Sequence, residues 1–349
     1  MTSWFPAAFS QADRTPHRHT GGVAAGRTVQ RDLLNAVRTA SGYPDAQWAR
    51  APKKLDGGSW ADIYRVRLRH APGLEGDLVV RVMPEPDSWE REMLVQGWAA
   101  KQGFPAPAVH LGALPSAEFD RAWMLMDYSP GERLFSKPNV ALILTSALRP
   151  RMRAPRLLAD VTVAIHAIGA GPIARDLAAP RTVGPGLNWF YSRASALGDR
   201  ALVDKAQRLL ATRPAFRGAV LCHGDIHPLN ILRDGPTDTV IDWTHAQYDD
   251  PLYDVAFTHF ALSLIPVRAP GWMRPAISAF GRAQAKRFLT AYEKASGTRI
   301  DPARLDWFTR VVALRILIEA EEARRKGITA ESRKSAGLMY EPFLLAAGF

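Results

Sequence analysis

One cysteine, Cys222, stands in the 349 residues, so no disulfide can form within the chain and a cross-linked scaffold is excluded. That usage fits a reducing, cytoplasmic setting. Apolar runs are short. Val140–Leu148 is apolar but cannot span a bilayer. Residues 1–26 carry scattered Trp, Phe, Pro and His without the continuous apolar segment of a signal peptide. They are Gly-, Ala- and Arg-rich and are expected to be mobile. No internal repeat and no heptad run is present. Acidic residues are the minority charge: 34 Asp and Glu against 45 Lys and Arg give a net charge of +11. Such a balance raises nucleic acid as a partner. The arginines are dispersed, however, and no helix-turn-helix, zinc-finger or aromatic RNA-binding signature accompanies them. A basic cleft that attracts phosphates is the economical reading, with no nucleic-acid and no membrane partner.

What is present is concentrated in one stretch. His223–Leu232 reads HGDIHPLNIL and is followed by VIDW at Val240–Trp243. His223-Gly224-Asp225, four residues, then Asn230 meets the H-R-D-x-x-x-x-N spacing of a phosphoryl-transfer loop, with Gly in place of Arg. The chemistry explains the spacing. A carboxylate is needed beside the incoming hydroxyl, and hard oxygen ligands are needed for Mg²⁺ beside the phosphates. Asp225 suits the first task; Asn230 and Asp242 suit the second. Asn230–Arg233 and Thr239–Asp242 read as two strands joined by the turn signal Asp234-Gly235-Pro236. A hairpin would carry Asn230 and Asp242 to its open end. A lone His-Gly-Asp would mean little, since Asp and Asn are common in turns. The complete set is far more specific.

HGDIHPLNIL, VIDW and the later DDPLYDVAF closely resemble the aminoglycoside phosphotransferase family, a branch of the protein-kinase-like superfamily. The resemblance covers about residues 50–260. It implies a bilobal α+β fold, with a small antiparallel-sheet lobe over residues 27–128 and a mainly helical lobe over 129–349. It also implies ATP or GTP as donor, Mg²⁺ as cofactor and a small hydroxylated acceptor. Several upstream segments take on meaning beside it. Gly57-Gly58-Ser59 resembles the turn that covers the phosphates, where glycines let backbone N–H groups approach closely; an ordinary hairpin turn has the same look. Arg81, in the strand-like Asp77–Met83, sits where kinases place the phosphate-pairing lysine and is expected to contact phosphate; a solvated strand residue is the alternative. A fork-shaped guanidinium is not equivalent to an ammonium. Glu92 aligns with the glutamate that pairs with this cation, while Asp87 and Glu90 read as a helix-capping box.

Ala122–Leu134 resembles the strand and linker between lobes. Asp127–Ser129 would meet the adenine edge. Met126 reads equally as pocket lining and as core, and Met124 as core. Pro155–Ile168 is an amphipathic helix ending at a packing or hydrogen-bonding His166. His223 is read as a brace for the loop, His227 as structural and Asp254 as the loop's buried anchor. Cys222 reads as a small buried hydrophobe. Asp301–Lys326 is expected to be one long helix, with Val311, Leu314 and Ile318 inward. Glu319, Glu322, Asp249 and Asp250 are candidates to meet amines of a cationic acceptor. The alternative for the two glutamates is a solvated helix face paired with Arg315, Arg324 and Arg325. The basic charge favours a neutral or weakly cationic acceptor, an antibiotic such as an aminoglycoside or macrolide among the possibilities. A catalytically weak nucleotide-binding relative with a regulatory role is the alternative function.

Overall fold

The computed structural model describes residues 23–55, 61–83, 86–134, 154–169, 171, 186–264, 270–329, 335–346 and 348–349. Gly57-Gly58-Ser59, Val140–Leu148 and the start of the N-terminal segment lie outside them. The first described element is helix α1, Val23–Ser41, which takes in the last four of residues 1–26. Strands β1 (Gln47–Lys54), β2 (Asp62–Arg69), β3 (Leu78–Met83), β4 (Val109–Ala113) and β5 (Ala122–Asp127) follow. Helix α2, Pro86–Lys101, sits between β3 and β4, and Pro86 opens it where a missing N–H costs nothing.

The five strands form one antiparallel sheet in the order β1-β2-β3-β5-β4. Strand β3, LVVRVM, is central and buried along its whole length, so it is apolar on both faces apart from Arg81. Alternation then gives the sheet two different faces. Leu78, Val80, Val82, Trp123 and Leu125 pack with Leu33 and Val37 of α1 in one core. Each such buried aliphatic side chain stabilises by about 1.5–3 kcal/mol. The opposite face carries Val79, Met124 and Met126 in a separate cluster, and Arg81 shares that face by register.

The second half is mainly helical: α3 (Ala154–His166), α4 (Gly186–Leu197), α5 (Arg200–Ala211), α6 (Leu252–Ser263), α7 (Arg274–Ser296), α8 (Pro302–Arg325) and α9 (Ala336–Ala346). Its core is centred on α8, whose Val311, Leu314 and Ile318 are buried as their spacing requires. Asp301 caps α8 by accepting from the Ala303 and Arg304 amides, and Pro302 occupies its first position. Short ladders complete this half. Strand β6 (Glu132–Arg133) pairs with β8 (Ile231–Asp234), which pairs with β9 (Thr237–Val240); β7 (Val220–Cys222) pairs with β10 (Gln247–Asp249). A small antiparallel sheet beside a larger helical lobe is a bilobal protein-kinase-like α+β architecture. No helix among the described residues is long and apolar enough to cross a membrane.

Candidate active site

The hairpin β8–β9 has the register Ile231↔Val240 through Asp234↔Thr237, closed by Gly235 at φ +57° and Pro236. Beyond its open end the Ile241 amide bonds the Asn230 carbonyl at 3.0 Å. Asn230 and Asp242 are therefore brought to the same end, as the turn chemistry predicts. A short 3₁₀ turn, Pro228–Asn230, precedes β8, and His227 caps it by accepting from the Leu229 amide at 3.2 Å.

Asp225 is held on both oxygens. Asn230 Nδ2 donates to its Oδ2 at 2.9 Å and to its backbone carbonyl at 2.9 Å. That use of the amide nitrogen turns the Asn230 side-chain oxygen away as a hard donor. Arg315 Nη2 donates to Asp225 Oδ1 at 3.0 Å, and His227 Nε2 lies 3.5 Å from Oδ2. Burial by itself would raise the Asp225 carboxyl. His227, Arg315 and His245 outweigh it and hold the group well below the usual carboxylate range.

Gly224 explains why this motif lacks arginine. Its φ is +78°, and a Cβ there would fall 2.3 Å from the His245 carbonyl oxygen. The chain after Asp242 crosses so closely behind the loop that only glycine fits. The loop is anchored from below. Asp254 on α6 accepts from the His223 amide at 2.9 Å and the Gly224 amide at 2.6 Å, and His166 Nε2 stands 3.3 Å from it. His223 donates through Nε2 to the Ile241 carbonyl at 3.2 Å and packs on Trp243. Cys222 is fully buried, and burial pushes its thiol well up, consistent with an inert small hydrophobe.

A second polar cluster joins the sheet to the hairpin. Arg81 Nη2 donates to Asp242 Oδ1 at 2.9 Å and to Thr244 Oγ1 at 2.9 Å, and Arg81 Nε lies 3.3 Å from Glu92 Oε1. The Thr244 hydroxyl is 3.0 Å from Glu92 Oε2 and 2.8 Å from Asp242 Oδ1. Arg81 is 5% exposed, so it is no solvated strand residue. Burial pushes the Glu92 carboxyl up to about 7, reinforced by Asp242 and opposed by Arg81 and Thr244. Burial acts the same way on Asp242, but Arg81 overrides it and the carboxyl lies below its ordinary value. Asp242 adopts φ +69°, a left-handed conformation that Asp tolerates better than most residues and that recurs at functional sites.

At the junction of the lobes Asp127 is largely committed. Its amide bonds the Ala108 carbonyl at 2.9 Å, and its side chain meets His110 Nε2 at 2.6 Å. The Tyr128 amide goes to Asp77 at 3.2 Å. Of Asp127–Ser129, the Asp127 and Tyr128 amides are thus committed to the fold. Met126 is buried and accepts from Gln96 at 3.2 Å; its face of the sheet is the one that bears Arg81.

The acidic candidates for the acceptor are placed otherwise than expected. Asp249 and Asp250 are buried at 0% and 4%. Asp250 pairs with Arg304 and caps α6 through the Leu252 amide, so the two carboxylates brace the chain rather than face a cleft. Glu322 is held by Arg193 of α4, not by Arg324 or Arg325, which pair with Glu321. Arg315 is not on a solvated face: it is 2% exposed and also donates to the Gly224 carbonyl at 2.7 Å and to Glu319 at 3.1 Å. Sequence reading missed its part in the site. The available signal was a single arginine inside the apolar octet Val311–Ile318, since an arginine is almost never fully buried unless paired.

A sheet lobe whose buried arginine reaches a helical lobe's carboxylate-bearing hairpin defines a kinase-like phosphotransferase. The chain belongs to the phosphotransferase enzyme family (APH), whose sequence profile matches residues 53–308. It is 26% identical over 286 residues to an aminoglycoside 3'-phosphotransferase of Streptomyces fradiae, covering 76% of this chain and 94% of the relative. Among solved structures it is similar to a type VIII aminoglycoside-3'-phosphotransferase, with TM-score 0.53, 22% identity, and 82% of this chain and 98% of that one covered. It is also similar to a thermostable mutant aminoglycoside phosphotransferase in ternary complex with ADP and hygromycin B, with TM-score 0.52, 16% identity, and 89% and 95% covered.

Proposed function

We propose that the protein is an ATP- and Mg²⁺-dependent phosphotransferase that moves the γ-phosphoryl group to a hydroxyl of a small molecule in the cytoplasm. The observation that carries this reading is the meeting of Asp225, Asn230 and Asp242 around one hairpin with Arg81 reaching it from the sheet. Asp225 is the group that orients the acceptor hydroxyl and takes its proton. Its two oxygens accept described bonds yet keep lone pairs for a hydroxyl. Its low basicity suits a loose transition state, in which the phosphoryl group is largely free before the proton moves and positioning matters more than base strength.

Asn230 and Asp242 offer an amide oxygen and a carboxylate, the hard donor set that Mg²⁺ takes. When bound, the ion supplies charge neutralisation between the phosphates. Arg81, kept oriented by Glu92, is the residue for the phosphates, with Gly57, Gly58 and Ser59 as the covering turn. Met126, Asp127 and Ser129 are the proposed adenine contacts. The relatives' names suggest an antibiotic hydroxyl as acceptor. Because Glu319 and Glu322 are each held by an arginine, a strongly polycationic acceptor is disfavoured. The intact trio of Asp225, Asn230 and Asp242 supports activity over a purely regulatory nucleotide-binding role.

The test is a thermal-shift series with a non-hydrolysable ATP analogue, with and without Mg²⁺, joined to a phosphate-transfer screen across aminoglycosides, macrolides and small amino alcohols. Mg²⁺-dependent stabilisation is expected in the wild type, weaker in Asn230→Ala and lost in Asp242→Ala. Equal metal-linked shifts in all three proteins would sink the assignment.

A further inference from the structure

Arg91 lies one residue before Glu92 on α2. The buried arginines Arg81, Arg304 and Arg315 each have a carboxylate partner. Arg91 is only partly exposed, yet no carboxylate among the described residues pairs with it. Burial pulls its guanidinium below the ordinary arginine value, with only the Tyr253 hydroxyl opposing, so its charge is poorly compensated. It opens onto a cavity of about 180 Å³ walled by Trp189, Phe190, His245, Tyr248 and Tyr253. A cavity of about 150 Å³ holds benzene, so this one has room for a ring with a substituent.

Three facts fix what the cavity suits. It adjoins the catalytic loop: the His245 carbonyl backs Gly224, and the Tyr253 hydroxyl lies 3.3 Å from Arg315, which holds Asp225. No described carboxylate lines it, and burial beside Arg315 lowers His245 to about 3, leaving that ring neutral. Trp189 is 42% exposed and offers a flat apolar wall steadied by Arg193, whose guanidinium carbon lies 4.2 Å from the ring centroid.

We propose that this cavity is an acceptor subsite that binds an acidic group, a carboxylate or phosphate, carried on a planar apolar portion of the acceptor. Arg91 pairs with the acid and Trp189 covers the plane. The assignment rests on the phosphotransferase reading and sharpens it, replacing a neutral or weakly cationic acceptor with an acidic one. A partly buried guanidinium with no carboxylate partner among the described residues gains most from an anion and loses most from an ammonium.

The experiment measures binding to the full chain, with and without Mg²⁺ and the non-hydrolysable ATP analogue. The probes are inorganic phosphate, para-hydroxymethylbenzoate and its cationic counterpart para-aminomethylbenzyl alcohol. The benzoate is expected to bind the wild type more tightly than the other two. Arg91→Gln should weaken it on the order of tenfold or more, and Arg91→Lys should restore part of that loss. Phosphate binding as tightly as the benzoate, with the same Arg91 dependence, would overturn the acceptor assignment in favour of a free-anion site. Preference for the cationic probe, no binding of the benzoate, or benzoate binding indifferent to Arg91 would overturn the proposal outright. The Mg²⁺-dependent nucleotide shift of the wild type reads the nucleotide site alone, so its absence would count against the phosphotransferase reading and not against the pocket.

Discussion

Two buried polar clusters face each other across the hairpin and solve opposite problems. Around Asp225, every oxygen of the carboxylate meets a donor, and the arginine that holds it also donates to Gly224, Tyr253 and Glu319. Around Arg81, one cation serves two carboxylates, Glu92 and Asp242, and Glu92 Oε1 lacks a hydrogen-bond partner. The first cluster is satisfied and fixed. The second has one cation for two carboxylates, an arrangement that fits the metal and phosphate roles proposed for Asp242 and Arg81. The contrast teaches that a rigid half and an adjustable half can share one hairpin.

The largest effect expected from breaking the contrast is at the rigid half. Asp225→Ala should cost about 10²–10⁴-fold in transfer, while nucleotide binding, read by thermal shift, stays near wild type. Wild-type turnover in the folded variant would refute its role. Next comes Arg315→Gln, which should lower kcat by about 10- to 100-fold through loss of a charge-assisted bond to Asp225, with the nucleotide KM little changed and Arg315→Lys recovering part of the rate. A rise in nucleotide KM instead would place Arg315 with the other cluster. Arg81→Ala should show the opposite split, with nucleotide KM raised about tenfold or more. Unchanged nucleotide kinetics would mean that the phosphates are held by other groups.

The smallest effect concerns pH. The folded Glu92 carboxyl lies near 7 against an ordinary 4.5. The folded state therefore binds more protons than the unfolded chain in that window, and stability falls as pH rises from 4.5 to about 7. Glu92→Gln, which cannot ionise, should lose this component, so its Tm relative to wild type should climb by a few degrees across the same window. Parallel Tm profiles for the two proteins would show that folding does not raise the Glu92 carboxyl.

The legibility of each half follows from chain separation. Asp225, Asn230 and Asp242 lie within one short stretch, where turn and strand chemistry alone dictate that they converge. Arg81 and Glu92 were readable only through the resemblance, because nothing local says that a strand residue faces a hairpin 161 positions away. Arg315 was misplaced because an (i, i+4) pair with Glu319 looks the same on a solvated and on a buried helix face; the apolar neighbours held the answer. Asp249 and Asp250 were misjudged for the converse reason, since an acidic pair in a loop gives no sign of the Arg304 that covers one of them. The bilobal architecture was legible through the same resemblance, which implied a small sheet lobe followed by a mainly helical one.

With Arg81 in the role proposed for it, the Asp242 carboxylate stands in for phosphate: it accepts from the same fork that a nucleotide would claim, so an incoming nucleotide would compete with the chain itself. Its measured affinity is then the intrinsic affinity scaled by the fraction of molecules in which Arg81 is disengaged. Anything that draws Asp242 toward another cation raises that fraction, so donor and metal should favour each other's binding by the same factor, in either order of addition.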